Sequence, residues 1–344
     1  MEIKMSIYSD KSQETLHLLR ENPEWIARYQ DYAEVISDNI EVLKERKASF
    51  HRWRPLYVYL TTSEMKKNGN VRFSLRYMGQ EVGKIAVKDQ ILCYPAYENN
   101  RKNFGYAPDF QGEIFWNSTE AHNFRQFFSE KMPCRNDCGK RNDEHRYESL
   151  LLSHFEKREK EIPAFRNIRP VTVIPGVRFP MPTPISASNK TSVTYSGTAG
   201  GGIDIFTRAG IGKATHLNIM ELKDENRKGE EPNLVIRQAI AYATFILRLL
   251  RSNSGEKWFR LFGFTSGLPD QIKVYATCVM PKGYCEDKSF SHQKIYVHQT
   301  YDKATDTPDD HSDIIELHYI YFEENNGTIF NAQTSLPHTG QPNE

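Results

Sequence analysis

Residues 200–242 constrain the chain more than any other stretch: two short apolar runs, 202–207 and 217–222, lead into a long helical pattern that reaches Tyr242. Each run carries charge. Asp204 stands between Ile203 and Ile205, and the second run ends in Glu221-Leu222-Lys223. On a strand, residues two apart point to the same face, so Glu221 and Lys223 project together, and neighbouring strands bring Asp204 to them. Charges set into β-branched apolar strands are costly unless they are paired or bind a metal. Two carboxylates suit a hard divalent cation, Mg²⁺ or Mn²⁺, which prefers oxygen ligands. The bland alternative is a surface salt-bridge group at a strand end.

Asp204 followed by Glu221-x-Lys223 resembles the signature of the PD-(D/E)xK nuclease superfamily, the restriction-endonuclease-like fold, with Ile203-Asp204 standing where the signature has Pro-Asp. The resemblance implies a metal-dependent phosphodiesterase acting on DNA, with Asp204 and Glu221 as metal ligands and Lys223 at the nucleophile. In the helix that follows, Gln238 and Tyr242 are four apart and share a face. They are similar to the Gln-x-x-x-Tyr motif of the RecB-like exonuclease branch, in which these residues sit beside the metal site. The superfamily also often takes a glutamate from a helix preceding the first core strand. In the helical stretch 143–160 the candidates are Glu144 and Glu148. Glu148 borders the apolar stripe of Tyr147, Leu150, Leu151 and Phe155 and is carried forward as a third metal ligand. A solvated helix carboxylate is the other reading of either residue.

Composition sets outer bounds. With 344 residues, 38% hydrophobic and 12% aromatic, the chain can bury a sizeable core. Its formal net charge of +1 announces no global basic field for a polyanion, although phosphate contacts need only a few well-placed cations. The opening, MEIKMSIYSD, carries no visible secretory signal, and no apolar run approaches the ~18 residues of a membrane span. With an odd count of five cysteines, the expectation is a reducing, cytoplasmic setting with free thiols and no membrane segment. Cys134-x-x-x-Cys138 lacks the second ligand pair a zinc site needs. The glycines 200–202 lack the Gly-Lys-Ser/Thr of a phosphate-cradling loop and precede a strand.

Along the chain, residues 1–50 have helical spacing broken at Pro23. Residues 56–60 read as a strand, and 71–77 with 82–87 read as a hairpin turning at Gly79. Arg72, Ser74 and Arg76 share one face of that hairpin. They form either a DNA-contacting surface or a solvated sheet face, the second being favoured. A helix over 117–128 and a polar connector at 131–142 follow. Strands at 191–195, 202–207 and 217–223 are expected as the first three of the nuclease sheet. After the long helix, 272–280 is expected as the fourth, and 294–299 and 314–322 continue the β character.

The fold expected is therefore α/β (α+β): a mixed central β-sheet flanked by helices, with a restriction-endonuclease-like core. Residues 1–140 form an N-terminal α+β accessory or recognition domain, 141–335 the nuclease-like domain and 336–344 a disordered tail. The function expected is a Mg²⁺- or Mn²⁺-dependent DNA nuclease of bacterial defence or DNA repair, with DNA as partner. A homodimer, or a protein partner docking through the N-terminal domain, stays open. The alternatives are a catalytically inactive nuclease-fold DNA-binding or assembly module and an unrelated interaction protein.

Overall fold

The computed structural model describes residues 2–45, 56–62, 71–87, 91–95, 104–106, 114–130, 143–157, 161–187, 192–197, 201–224, 230–283, 286–299 and 311–337. Helices α1 (Glu2–Glu21) and α2 (Glu24–Glu45) are separated at Pro23, where the proline ring removes a backbone donor. Five strands follow, β1 (Leu56–Leu60), β2 (Val71–Tyr77), β3 (Gln80–Val87), β4 (Ile91–Pro95) and β5 (Ile114–Phe115), all antiparallel and in sequence order. The β2–β3 connection is the two-residue turn Met78-Gly79, with φ of 49° and 79°. Positive φ at both central residues matches the right-handed twist of the flanking strands. Helix α3 (Thr119–Glu130) starts after Ser118, whose Oγ accepts the Ala121 N–H at 3.2 Å, an N-cap. Its Phe124 and Phe128 cover this first sheet.

The second sheet is built from α4 (Asp143–Lys157), β6 (Ile168–Pro170), a separate small pair β7 (Ile185–Ser186) and β8 (Thr194–Tyr195), then β9 (Ile205–Ala209), β10 (His216–Leu222), α5 (Pro232–Leu250), α6 (Gly255–Leu261), β11 (Lys273–Pro281), β12 (Lys294–Gln299), β13 (His311–Asn325) and β14 (Thr328–Thr334). Its order is β12-β13-β11-β10-β9-β6, with β14 following β12 along the outer edge of the long β13. Strand β9 runs antiparallel to both its neighbours, β6 and β10, whereas β10, β11 and β13 are parallel. Helix α5 makes the crossover that a parallel β10–β11 pair requires. The sheet is therefore mixed and flanked by helices, as expected.

Side-chain alternation splits the core between the two faces of this sheet. Leu217, Ile219, Val274, Ala276, Ile315 and Leu317 face α5, while Met220, Leu222, Tyr275, Val279, Ile320 and Phe322 belong to the cluster around Tyr147, Leu151 and Phe155 of α4. Among the described residues, α5 is the one helix long and apolar enough to cross a membrane, and it is 78% buried inside the protein. Helices α1 and α2 pack against α5 and α6. Thr244 Oγ1 donates to Ser12 Oγ at 3.0 Å and Trp258 Nε1 to the Tyr29 carbonyl at 3.1 Å. The expected boundary near residue 140 thus lies between two sheets that share one continuous core.

Several expectations need correction. The pair β7–β8 stands apart from the seven-stranded sheet, so 191–195 does not supply that sheet's first strand; β6 does. Three residues ending in Pro170 carry too little alternation to read as a strand, and an edge position tolerates the proline. Asp204 precedes β9 rather than lying within it. Leu336 is buried in the α4-side core, so the tail does not begin at residue 336; residues 338–344 lie outside the described residues. Ser74 is buried and Arg76 stacks over the Tyr59 ring at 4.3 Å, leaving Arg72 as the one exposed member of the expected solvated face. Cys134 and Cys138 lie outside the described residues.

Arg178 fastens the first sheet to α4. Its backbone pairs with β1, its N–H donating to the Val58 carbonyl at 2.8 Å and its carbonyl accepting from Leu60 at 2.9 Å. The buried guanidinium lies 3.6 Å from the Tyr57 ring centroid and donates to Glu156 Oε1 (2.7 Å), the Tyr59 hydroxyl (2.9 Å) and Ser153 Oγ (3.1 Å). We expect Arg178→Ala to lower stability in urea unfolding by about 3 kcal/mol, the low end for a broken buried pair because Glu156 keeps some solvent. A loss below about 1 kcal/mol would contradict this linking role.

Candidate functional site

The polar centre lies where β10 ends. Met220 pairs with Ile205 in the antiparallel β9–β10 register, so the next position sets Asp204 opposite Glu221. Asp204 Oδ2 accepts the Leu222 N–H at 2.9 Å, extending this edge with a side chain in place of a backbone group. Glu221 projects to the α5 face. Lys223, two residues on, is held in line by its N–H, which donates to the Val279 carbonyl of β11 at 3.1 Å. Lys223 Nζ lies 2.6 Å from Glu221 Oε1, 3.6 Å from Glu144 Oε1 and 4.0 Å from Asp204 Oδ2, and donates to the Leu222 carbonyl at 2.9 Å. The three residues expected from the sequence therefore converge, and Glu144 of α4 joins them.

One ammonium faces three carboxylates here, and Glu221 and Lys223 are each about 95% buried. Burial raises the Glu221 carboxyl well above its ordinary value, and the neighbouring Asp204 adds to the shift. Asp204 is raised as well, by burial against the opposing pull of Lys223. For Lys223, burial alone would lower the pKa, but Glu221, Asp204 and Glu144 overcome it and hold the side chain as an ammonium. Glu221 Oε2 is buried with no hydrogen-bond partner. A buried carboxylate oxygen without a donor is costly, and a hard divalent cation would supply the missing partner. An all-oxygen donor set with excess negative charge fits Mg²⁺ or Mn²⁺. Asp204 keeps about a quarter of its side chain open to solvent, giving an entry route.

Glu148 sits one turn further along α4. Its Oε1 is 3.4 Å from the Tyr59 hydroxyl and its Oε2 is 3.5 Å from His145 Nδ1. It lines a small cavity with Asp204, Tyr59 and Arg178 of about 10 Å³, room for roughly one water or ion. Glu144, rather than Glu148, is the α4 carboxylate within ion-pair distance of Lys223. Helical spacing alone cannot rank residues four apart on one face. Tyr242 is buried on α5; its hydroxyl accepts the Ala187 N–H at 3.3 Å, and its pKa is raised by burial and by the Glu221 charge. A Cβ on Gly201 would come within 2.7 Å of that hydroxyl, so a glycine there admits the ring. Gln238 is buried one turn earlier on the same helix.

A cavity of about 500 Å³ lies elsewhere, at the opposite end of β10 and β11, between Lys213, His216, Phe259, Phe264 and Lys273. It holds no carboxylate. Size alone does not make it the reactive centre. Comparison of the chain with protein-family models, curated proteins and solved structures found no match in any of the three.

The raised carboxyls give a signed pH dependence. Folding favours their protonated forms, so their contribution to stability is complete below the ordinary carboxylate range and is lost as pH rises through the raised values. The Lys223 contribution, from a raised lysine pKa, persists through neutrality and is lost only in strong alkali. We expect the metal-free protein to lose stability between mildly acidic and mildly alkaline pH, with a slope approaching about 1.4 kcal/mol per pH unit for each proton released. Glu221→Gln should flatten that slope, and millimolar Mg²⁺ should restore stability at the alkaline end. Chemical denaturation across pH decides it; an unchanged slope in Glu221→Gln would contradict the assignment.

Proposed function

We propose that the chain is a Mg²⁺- or Mn²⁺-dependent deoxyribonuclease that hydrolyses phosphodiester bonds. The observation that carries this reading is the convergence of Asp204 and Glu221 on Lys223 at the end of β10, together with the partnerless Glu221 Oε2. A hard divalent cation bound there would polarise a phosphoryl oxygen and lower the pKa of a coordinated water. Asp204 and Glu221 are the residues that would hold it, with Glu148 or Glu144 as the α4 contribution. The raised Lys223 pKa makes its role that of a fixed cation: it donates hydrogen bonds to an attacking water or a phosphate oxygen and offsets developing negative charge. Gln238 and Tyr242 line the α5 side, where the Tyr242 hydroxyl can steady a phosphate oxygen.

DNA is the substrate in this reading, approaching from the side on which Asp204 and His145 reach solvent. The setting we propose is cytoplasmic, in bacterial defence or DNA repair. The short Lys223–Glu221 contact supports a second reading, a nuclease-fold DNA-binding or assembly module without turnover, in which that ion pair is permanent.

The test is cleavage of linear, circular and single-stranded DNA in Mg²⁺ or Mn²⁺. Wild type should cut in a metal-dependent way, and Asp204→Asn and Lys223→Ala should lose at least about a hundredfold in rate while keeping their circular-dichroism spectra. Cutting of linear DNA alone assigns an exonuclease, and nicking of circles an endonuclease. DNA binding without metal-dependent cutting of any substrate supports the module reading, and neither DNA binding nor cutting overturns both.

A further inference from the structure

A second constellation lies on the other face of the sheet. Glu316 and His318 are two apart on β13 and so share a face, the one that carries Tyr275, Ile320 and Phe322. His292 comes from the turn before β12, where it adopts a left-handed φ of 62°. Such a conformation is uncommon for a residue with a side chain and persists only where its surroundings enforce it. Here the His292 N–H donates to the Leu317 carbonyl at 2.8 Å, and the Leu317 N–H donates to the Gln293 carbonyl at 2.9 Å. The turn is thereby sewn to β13 at the residue between Glu316 and His318.

The side chains then converge. Glu316 Oε1 lies 3.3 Å from His318 Nε2 and 3.9 Å from His292 Nδ1, and one ligand atom from each residue falls within 4.8 Å of the other two. Lys273 Nζ, 2.7 Å from Glu316 Oε2, fixes the other carboxylate oxygen and leaves Oε1 facing the imidazoles. His318 is fully buried, yet its Nε2 makes no hydrogen bond: the approach to Glu316 Oε1 is close but badly directed for an N–H donor. Its Nδ1 lies 3.1 Å from Ser335 Oγ, which also accepts the Tyr319 N–H. An Nδ1–H donating to Ser335 satisfies that side of the ring and leaves the Nε2 lone pair turned into the cluster, the tautomer a metal needs. The opposite tautomer would bury an unsatisfied N–H.

We propose that His292, Glu316 and His318 bind a transition-metal dication of the Zn²⁺ class, independently of the carboxylate centre. Two imidazole nitrogens and one carboxylate oxygen suit Zn²⁺, Co²⁺ or Fe²⁺ and disfavour Mg²⁺, which takes oxygen ligands. Tetrahedral zinc with bonds of about 2.0–2.1 Å spaces its ligands about 3.3 Å apart. The Glu316–His318 spacing already meets this, and closure requires only a small swing of the exposed His292 ring. Three protein ligands leave one position for water or another ligand. Glu221 lies on the α5 face of the sheet and these residues on the α4 face, so the two centres are separable.

The experiment titrates the metal-free full-length chain with Zn²⁺ by calorimetry in millimolar Mg²⁺, and with Co²⁺ by visible absorption. Wild type and Asp204→Asn should each bind one Zn²⁺, show the ligand-field bands of four-coordinate Co²⁺ and gain thermal stability. His292→Ala, which alters an exposed side chain, should bind at least about tenfold more weakly, and His318→Gln should lose the Co²⁺ bands. No saturable Zn²⁺ binding, equal binding in both histidine variants, or binding abolished by Asp204→Asn alone would each overturn the proposal.

Discussion

One buried ammonium cannot by itself neutralise both Glu221 and Asp204. At the end of β10, Lys223 sits within ion-pair distance of Glu221, Glu144 and Asp204, and the burial of Glu221 and Lys223 leaves little water to screen their charges. In a medium of low effective dielectric such an arrangement is unfavourable. The protein relieves it only in part, by raising the carboxyl pKa values and by donating the Leu222 N–H to Asp204. What remains is negative charge and an oxygen without a donor. Both are properties of a cation site, and the proposed chemistry follows from them.

The scaffold exists to hold that imbalance still. The β9–β10 register fixes Asp204 opposite Glu221, and the parallel pairing of β10 with β11 carries Lys223 past the strand end in line. Helix α5 closes one face, packed by α1, and contributes Tyr242. Helix α4 closes the other and contributes Glu144 and Glu148. Arg178 ties α4 to β1 through Glu156, Ser153 and Tyr59, and the same Tyr59 hydroxyl reaches Glu148. The Met78-Gly79 turn docks where α4 begins: a Cβ on Gly79 would stand 2.5 Å from the His145 carbonyl oxygen. The first sheet thus acts on the site by positioning α4.

Period and punctuation made much of this legible. Alternation set Glu221 and Lys223 on one face, Pro23 marked a helix boundary, and 294–299 read directly as β12. Other features were beyond local pattern. Strand β6 is three residues long and ends in proline, so it has no period to detect, and 191–195 looked more strand-like in its place. Amphipathic α1 and α2 declared that they have an apolar face but not that α5 and α6 receive it. Glu144 and Glu148 are equivalent to a helical periodicity argument and are separated only by where α4 starts relative to β10. His292 meets Glu316 and His318 through a left-handed turn, and nothing in the local pattern of 314–322 beyond its β character pointed to that cluster.

The most direct measurement is anomalous diffraction from crystals soaked in Mn²⁺, recorded at a wavelength that also separates it from Zn²⁺. The expected result is a manganese peak about 2.0–2.3 Å from carboxylate oxygens of Asp204 and Glu221, with Lys223 Nζ displaced from its contact with Glu221 Oε1. Manganese absent from that position, with the Lys223–Glu221 pair intact at saturating metal, would contradict the claim that the buried charge imbalance is a cation site.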